Sequence, residues 1–422
     1  MSNKDNKHKL RKILIWVISS LFMLLIVSFL IIIFAIRDPN RNNNIDTGIT
    51  SEEVINKEYV SSLANTSSSF SYSLSDEDIN IMLADSLKKE EVSKKISSIY
   101  YSVSGDTHTW YVDLNIPLVK TRVKINTHFI NQDFVIDNMT MGKLDVTKRK
   151  LPRYFVNDSI LNKIFENANL PIKANLDEGI FKCNPLGFIS FFDKQELTNE
   201  MFSLANNDNV VSYQENKIGF TLDLSSLVVD KPNIDESSYD LESELTSKLE
   251  EITYSSLSNS EARKVLEVSE NNFSRYISSF FSDEYVIERH TSNLVSVEVN
   301  AKVDLVNVSF KNNSLEINFF IKLGNTYFLV NFPLEEGLAI SESSFSLAFH
   351  LKENKTSLES SLLSYFLSNV TKSEYISYVD SSELLLFDFT SLVDGGEIDP
   401  LLSLAFKEMK IESNSLIFTL SK

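Results

Sequence analysis

The chain has 422 residues, a formal net charge of −18 and a single cysteine, Cys183. A single cysteine excludes an intramolecular disulfide, and we interpret Cys183 as a small buried apolar residue. The acidic excess argues against nucleic acid as a partner and against electrostatic docking on anionic lipid headgroups.

Residues 1–12 form a basic segment of net charge +4, and the next segment, Ile13 to Ile36, is uncharged and apolar. A helix of that length crosses a hydrocarbon core about 30 Å thick. Positive charge before the helix predicts a cytoplasmic N-terminus and a single pass through the cell membrane. Residues 37–422, with net charge −22, are then extracytoplasmic.

A cleaved signal peptide is the alternative for this apolar segment. Such peptides usually have a shorter apolar core and a small-x-small exit, whereas this segment ends in Phe34, Ala35 and Ile36. No cysteine follows it directly, which excludes a lipoprotein-type anchor. We therefore expect an uncleaved transmembrane helix.

Residues 37–68 are polar and predict a tether, although 52–63 also fits a helical turn or two. Residues 69–228 form the first predicted domain. It opens with a short strand ending at Leu74, followed by Ser75 as helix N-cap. The apolar stripe of the predicted helix contains Ile79, Met82 and Leu83.

A second pattern, of period two, predicts long strands in an antiparallel meander. In the first domain Trp110, Val112 and Leu114 alternate with polar residues. In the second domain the alternating apolar residues form two groups on either side of a predicted turn at 324–325; they are Ile317, Phe319 and Ile321, then Phe328, Val330 and Phe332.

Residues 229–251 predict an acidic linker, and Leu241, Leu245 and Leu249 indicate that part of it is an amphipathic helix. The second predicted domain, 252–422, repeats the plan of the first. A strand at 252–257 and a helix after Ser258 align Leu257–Leu266 with Leu74–Leu83, and 413–420 aligns with 215–222. A tandem duplication explains both matches; the alternative is that unrelated strand–cap–helix units look alike.

These patterns predict an α+β fold. After the transmembrane helix, two tandem domains each form a twisted antiparallel sheet wrapped over long amphipathic helices, because the dry face of each sheet must be covered. The other predicted covering helices are 158–168, 194–205 and 357–366.

The sequence contains no motif of catalysis. None of the five histidines has a partner at metal-ligand spacing, and no nucleophile elbow, Walker loop or dinucleotide fingerprint is present. We therefore expect no catalytic residue, no metal, no cofactor and no enzyme activity. Asp137 is the best single carboxylate candidate, and we interpret it as a bulge or turn residue. An enzyme with a non-local carboxylate site remains the alternative.

The dry faces are rich in long apolar side chains, and the chain contains 29 phenylalanines. A sheet curled around a helix can leave an elongated apolar slot, in which a fatty chain gains about 0.8 kcal/mol per methylene. The candidate lining residues are Ile79, Met82, Leu83, Trp110, Val112, Leu114, Ile317, Phe319, Ile321, Phe328, Val330 and Phe332. The alternative is an ordinary close-packed core.

The segments Phe70–Leu83, Tyr111–Leu118 and Asp137–Leu144 resemble YpmS-like proteins, which are membrane-anchored extracytoplasmic proteins of Gram-positive bacteria. The resemblance ends near Leu222 and implies one anchor and one domain, so the second copy is a departure. Arg263 aligns with Asn80 in that copy.

The opening at Leu74 also resembles that of tubular lipid-binding (TULIP-like) domains, which hold lipid between a helix and a curved sheet. This resemblance implies a lipid ligand and supplies no catalytic residue.

Two hypotheses follow. In the first, a membrane-anchored, extracytoplasmic, non-catalytic protein binds lipid or another amphipathic envelope molecule in an apolar slot. In the second, the protein is an envelope scaffold with packed cores, and a protein or a wall polymer is its partner. Neither hypothesis involves nucleic acid.

Overall fold

The chain is α+β, with an apolar N-terminal helix followed by two curled antiparallel sheets. The computed structural model describes residues 2–38, 47–116, 119–147, 156–184, 196–205, 210–233, 239–258, 265–311, 314–336, 346–351, 356–389, 405–412 and 414–421. Helix α1 spans Ser2–Ile36. Its segment Arg11–Ile36 has a mean hydropathy of 3.0 and is 0% buried, so it is long and apolar enough to span a membrane.

The first sheet, which we call the first half-barrel, has the strand order β2-β3-β4-β5-β8-β7, with β6 paired to β5. Strand β1 lies in a small separate sheet with the last two strands of this half, in the order β1-β10-β9. The elements are β1 (Ser69–Ser75), α3 (Asp76–Ser86), α4 (Glu90–Ser93), β2 (Ile96–Ser104), β3 (Thr107–Ile116), β4 (Val119–Ile130), β5 (Asp133–Met141), β6 (Leu144–Asp145), α5 (Asp158–Asn167), β7 (Ile172–Asn175), β8 (Ile180–Cys183), α6 (Glu196–Leu204), β9 (Val211–Gln214) and β10 (Lys217–Asp223).

The second half-barrel has the strand order β13-β14-β15-β16-β17-β19-β18, with β11 paired to β16. Its small separate sheet has the order β12-β21-β20. The elements are β11 (Val228–Val229), α7 (Leu241–Ser258), β12 (Val265–Ser269), α8 (Glu270–Ser278), β13 (Tyr285–Ser292), β14 (Val297–Lys311), β15 (Ser314–Leu323), β16 (Thr326–Glu336), β17 (Ser346–Leu351), α9 (Ser357–Val370), β18 (Ile376–Val379), a 3₁₀ turn (Asp380–Ser382), β19 (Leu384–Asp388), β20 (Ala405–Glu412) and β21 (Ser415–Ser421).

The two halves share one topology. Each begins with a strand that leads into a capped helix, continues through a four-stranded meander, and adds a helix and a hairpin. Each then ends on a strand that returns to pair with the first, β10 with β1 and β21 with β12. In the second half β13 is an additional strand beside the meander β14 to β17. The predicted sequence alignment of 215–222 with 413–420 therefore matches two equivalent strands, β10 and β21.

The strand predicted at 252–257 is wrong. Residues 252–257 continue helix α7, because Ile252 follows Leu241, Leu245 and Leu249 on one buried stripe. The true counterpart of β1 and α3 is β12 and α8, and the N-cap is Ser269, whose Oγ accepts the N–H of Asn272 at 3.3 Å.

The N-cap predicted at Ser75 in the first copy is confirmed. Ser75 caps α3 in a capping box with Asp78, so Leu74–Ser75 matches Val268–Ser269. Ser274, rather than Arg263, therefore stands where Asn80 stands in the first copy.

The segment predicted as a polar tether contains helix α2, Ser51–Ala64. Its residues Val54, Val60 and Leu63 are buried. Thr50 and Glu53 form a capping box at its start, and the amide of Asn56 donates to the Thr291 carbonyl of the second half-barrel at 2.9 Å. Within the predicted polar tether the helical alternative is therefore correct for residues 51–64, and this helix is longer than two turns.

The apolar interior forms two clusters. The first half-barrel cluster contains Trp110 and its neighbours. The second cluster contains the second half-barrel together with Phe70, Phe202, Leu222 and Leu224 of the first copy. Helix α6 and parts of β1 and β10 thus complete the core of the other half.

Candidate functional site

The twelve predicted lining residues lie in two separate places. The first group comes from α3 and β3, where Ile79, Met82, Leu83, Trp110, Val112 and Leu114 share the first cluster. The second group comes from β15 and β16; it consists of Ile317, Phe319, Ile321, Phe328 and Phe332, with Val330 packed against them. The structure brings each group together and does not join the two groups into one channel.

In the first half-barrel the inward-facing side chains pack directly on one another. The Trp110 ring meets the rings of Phe134, Phe165 and Phe181 edge-on, at centroid distances of 5.6, 5.4 and 5.8 Å. Trp110 is 1% exposed, and Ile79 is 0% exposed. A slot of acyl-chain width would leave water-accessible surface on its walls, so no open slot touches these side chains.

The second half-barrel is packed in the same way. Phe319, 0% exposed, lies 5.4 Å from Phe332 and 6.3 Å from Phe366 of helix α9 between ring centroids. Val330 is half-buried, and the other residues of its group are buried. Entry of a fatty chain at either group therefore requires a helix to separate from its sheet.

One polar atom in the first core is left without a partner. The indole Nε1 of Trp110 is buried and has no hydrogen-bond acceptor. An unpaired buried donor costs about 1–3 kcal/mol. Near it His108 is paired, since its Nδ1 lies 2.5 Å from the hydroxyl of Tyr101. Burial lowers the pKa of His108 to about 4.

Asn80, which has no asparagine counterpart in the second copy, holds helix α3 to strand β2. Its amide donates to the Tyr101 carbonyl at 2.9 Å and accepts the Tyr101 N–H at 2.7 Å. Strand β2 is an edge strand, so Asn80 satisfies backbone groups that no neighbouring strand pairs. In the second copy the Ser274 hydroxyl accepts the Val308 N–H at 3.4 Å. Asn80 therefore stabilises the contact between helix α3 and strand β2.

Asp137 is the bulge residue that the sequence predicts. The register between β4 and β5 shifts at this point, pairing Asn126 with Asn138 and Thr127 with Ile136, which leaves Asp137 unpaired in the ladder. Its carboxylate contacts Nδ1 of His128 on the surface. The exposed pair lies outside any described cavity.

A buried ion pair on the outer face of the first half-barrel was missed by the sequence analysis. Arg122 donates to both carboxylate oxygens of Asp113, at 2.7 and 3.0 Å, and the two residues are 7% and 1% exposed. The guanidinium carbon lies 5.7 and 5.2 Å from the ring centroids of Tyr100 and Tyr111. The hydrogen bonds to Asp113 raise the pKa of Arg122. The alternation of apolar and polar residues along the strands, taken alone, predicts that Asp113 and Arg122 are solvent-exposed.

A second buried polar cluster joins the two halves. Glu288 of β13 accepts the N–H groups of Leu197 and Thr198 at 2.5 and 3.2 Å, and the Thr198 hydroxyl also donates to it. Nε2 of His290 lies 3.0 Å from the same carboxylate. Glu288 thus caps the N-terminus of α6 from another element.

Within the described ranges no three histidine, cysteine or carboxylate side chains are grouped so that they could hold a metal ion. Burial raises the pKa of the Cys183 thiol, which makes it a poor nucleophile. One open groove of about 670 Å³ runs beside α9, and its lining includes Asp283, Tyr285 and Tyr365.

Comparison with known proteins gives no relative. No protein-family model, no curated protein and no solved structure matches the chain.

Proposed function

We propose that this protein is a single-pass, membrane-anchored scaffold of the cell envelope that performs no catalysis. Its two half-barrels present outer surfaces to a protein or wall-polymer partner. The observation that carries the proposal is the filled interior of both half-barrels, where Ile79, Val112, Ile317, Phe319 and Ile321 are all 0% exposed. A close-packed interior holds the residues of the outer surface in defined positions.

The charge of the exported part favours one class of partner. Residues 37–422 carry −22, and electrostatic complementarity speeds encounter with a basic surface and disfavours acidic partners. We therefore expect a basic protein surface or a polymer with cationic groups.

Crosslinking of the full chain in intact cells tests the scaffold hypothesis. We expect a discrete crosslinked partner that remains after lipid is extracted, and its yield falls as the salt concentration rises, because added ions screen the attraction. The absence of any crosslinked species in cells with normal amounts of the protein would contradict the proposal.

Binding of lipid or another amphipathic envelope molecule is the second candidate, and the unpaired Nε1 of Trp110 favours it. A ligand with an ester or carboxyl oxygen would accept this hydrogen bond while its chain replaced core contacts. Helix α3 or α5 would have to move away from the sheet to admit the ligand. This candidate matches the expectation drawn from the tubular lipid-binding resemblance.

Native mass spectrometry of residues 37–422, purified without detergent, separates the two candidates. A stoichiometric lipid that is released by solvent extraction supports the slot and identifies the ligand class. A clean apo mass that persists after incubation with membrane lipids supports the scaffold.

A further inference from the structure

The C-terminus of helix α1 is bonded directly to the first half-barrel. The last carbonyls of a helix have no partner within the helix. Here the Ala35 carbonyl accepts the N–H of Lys143 at 2.9 Å, and the Ile36 carbonyl accepts the hydroxyl of Thr121 at 2.5 Å. Strand β4 and the turn between β5 and β6 thus cap the apolar helix.

The chain remains on the sheet immediately after the helix. The N–H of Asp38 donates to the Lys120 carbonyl at 2.9 Å. On the other side Gly142 has φ +58°, and a Cβ at this position would lie 2.5 Å from the Ile36 carbonyl oxygen. Only glycine permits so close an approach. The helix and the half-barrel therefore meet without an intervening tether.

Among the described residues, three cations lie at this junction. Arg37, Lys120 and Lys143 are all exposed, and no ion pair joins them to another residue in the described part of the chain. The two neighbouring carboxylates are engaged within the protein. Asp145 accepts hydrogen bonds from Thr147, at 3.0 and 2.7 Å, and Asp38 lies close enough to Arg122 to raise its pKa. We call Arg37, Lys120 and Lys143 the collar.

The collar stands where lipid phosphates would lie. Since α1 remains apolar up to Ile36, the hydrocarbon boundary falls near this residue, and the headgroup layer begins directly beyond it. The acidic charge of the molecule does not prevent local attraction, because screening at physiological salt limits electrostatic effects to about 8 Å. Among the residues that the structure describes, the collar residues within this range have no carboxylate partner.

We propose that the collar is the bilayer-facing surface of the protein and binds the phosphate groups of acidic phospholipids in the leaflet that α1 exits. The proposal rests on the membrane anchoring stated above. It also refines the charge argument from the sequence, because an acidic protein here carries a local basic surface at the one place where it meets lipid. The bonds from Ala35, Ile36 and Asp38 hold this surface in position.

Spin-label electron paramagnetic resonance on the full chain in phosphatidylcholine vesicles tests the proposal. Trace spin-labelled phosphatidylglycerol and phosphatidylcholine give the relative association constant of the acidic lipid. We compare the wild type with the double variant Lys120→Gln, Lys143→Gln. Arg37 is left unchanged because its charge also bears on insertion.

The matched control is Lys173→Gln, Lys182→Gln. These lysines are exposed on the hairpin β7–β8 of the same half-barrel, which joins β5 at Phe134, the end remote from Gly142. The basic residues 1–12 lie on the other leaflet and are present in every variant. Only the difference between variants therefore reports on the collar.

We expect the collar variant to lower the association constant of phosphatidylglycerol by about fivefold for each lysine, whereas the control stays at the wild-type value. Equal constants for the collar variant and the wild type, or an equal fall in the control, would overturn the collar. A wild-type protein that does not float with vesicles would instead contradict the membrane anchoring.

Discussion

Gly142 is the residue at which the apolar helix and the sheet come closest. In Gly142→Ala the new methyl group meets the Ile36 carbonyl oxygen at 2.5 Å, and the positive φ of +58° adds strain of about 1–2 kcal/mol. We expect the junction to loosen, so that the amides of Asp38 and Lys143 exchange hydrogen faster. Hydrogen–deuterium exchange with mass spectrometry measures this.

Gly105→Ala is the matched control for this prediction. Gly105 has a similar φ of +60°, but no atom lies within 4 Å of the position that the alanine methyl group would take. It therefore carries the backbone strain without the clash. If both variants left exchange at Asp38 and Lys143 unchanged, the close approach at Gly142 would not hold the junction.

His108 makes the stability of the first half-barrel depend on pH. Its pKa is lowered by burial to about 4 in the folded state, whereas the unfolded value is about 6.5. The unfolded chain therefore binds a proton that the folded chain does not. Stability is complete above pH 6.5 and falls between about pH 6.5 and 4, by at most about 1.4 kcal/mol per pH unit.

Thermal melts of the wild type and His108→Gln across this pH range check the assignment. The variant loses the bond to Tyr101 and melts lower at neutral pH, but its melting temperature changes less between pH 6.5 and 4. Parallel curves for the two proteins would show that another group titrates.

At the scale of elements, Glu288 connects strand β13 to helix α6. Glu288→Gln removes the negative charge that faces the helix N-terminus and weakens the bonds from Leu197 and Thr198. We expect a loss of about 1–3 kcal/mol and faster hydrogen exchange over Glu196–Leu204. The control Glu298→Gln changes a half-exposed carboxylate paired with Arg289 and is expected to leave α6 unaffected. Unchanged exchange in Glu288→Gln would exclude the capping role.

The elements that the sequence predicted well have local causes. The cap at Ser75 and the stripe after it specify α3 from adjacent residues, and alternation specifies β3 and β15. The match of 252–266 to the strand, cap and helix of the first copy predicts a strand at 252–257, and only the buried stripe from Leu241 decides for a helix. The cap from Glu288 joins residues about 90 positions apart, so no local pattern reveals it.

For the candidate site, too, local sequence patterns do not reveal contacts between residues that are distant in the sequence. Periodicity predicts which side chains share a face of a strand or helix; eleven of the twelve are buried, and Val330 is half-buried. Whether an interior is filled depends on partners far away in the sequence, such as Phe165 and Phe181 beside Trp110. The basic collar likewise joins residues 37, 120 and 143, which no spacing rule connects.

At the scale of the whole molecule, side chains of the first copy complete the core of the second half-barrel. Phe70, Phe202 and Leu222 of the first copy belong to the cluster of the second half-barrel. We expect one cooperative unfolding transition, so that the fluorescence of Trp110 and the far-ultraviolet circular dichroism change together. Phe366→Ala truncates a side chain in the second core, and such truncations cost about 3–5 kcal/mol of stability. We expect it to lower the unfolding midpoint that is measured by Trp110 fluorescence.

Leu294→Ala serves as the control, because Leu294 is 46% exposed and is expected to move the midpoint little. A Trp110 midpoint that does not respond to Phe366→Ala would show that the halves unfold independently.

The bonded end of helix α1 also determines how the protein meets other molecules. A domain attached through a flexible linker samples many orientations. A partner that binds it must remove this rotational freedom, at a cost in entropy. Here the hydrogen bonds at Ala35 and Ile36 have already removed it. In the membrane-anchored arrangement proposed above, any two copies in the same bilayer therefore face one another with a fixed tilt and at a fixed height, and an encounter is a search in two dimensions.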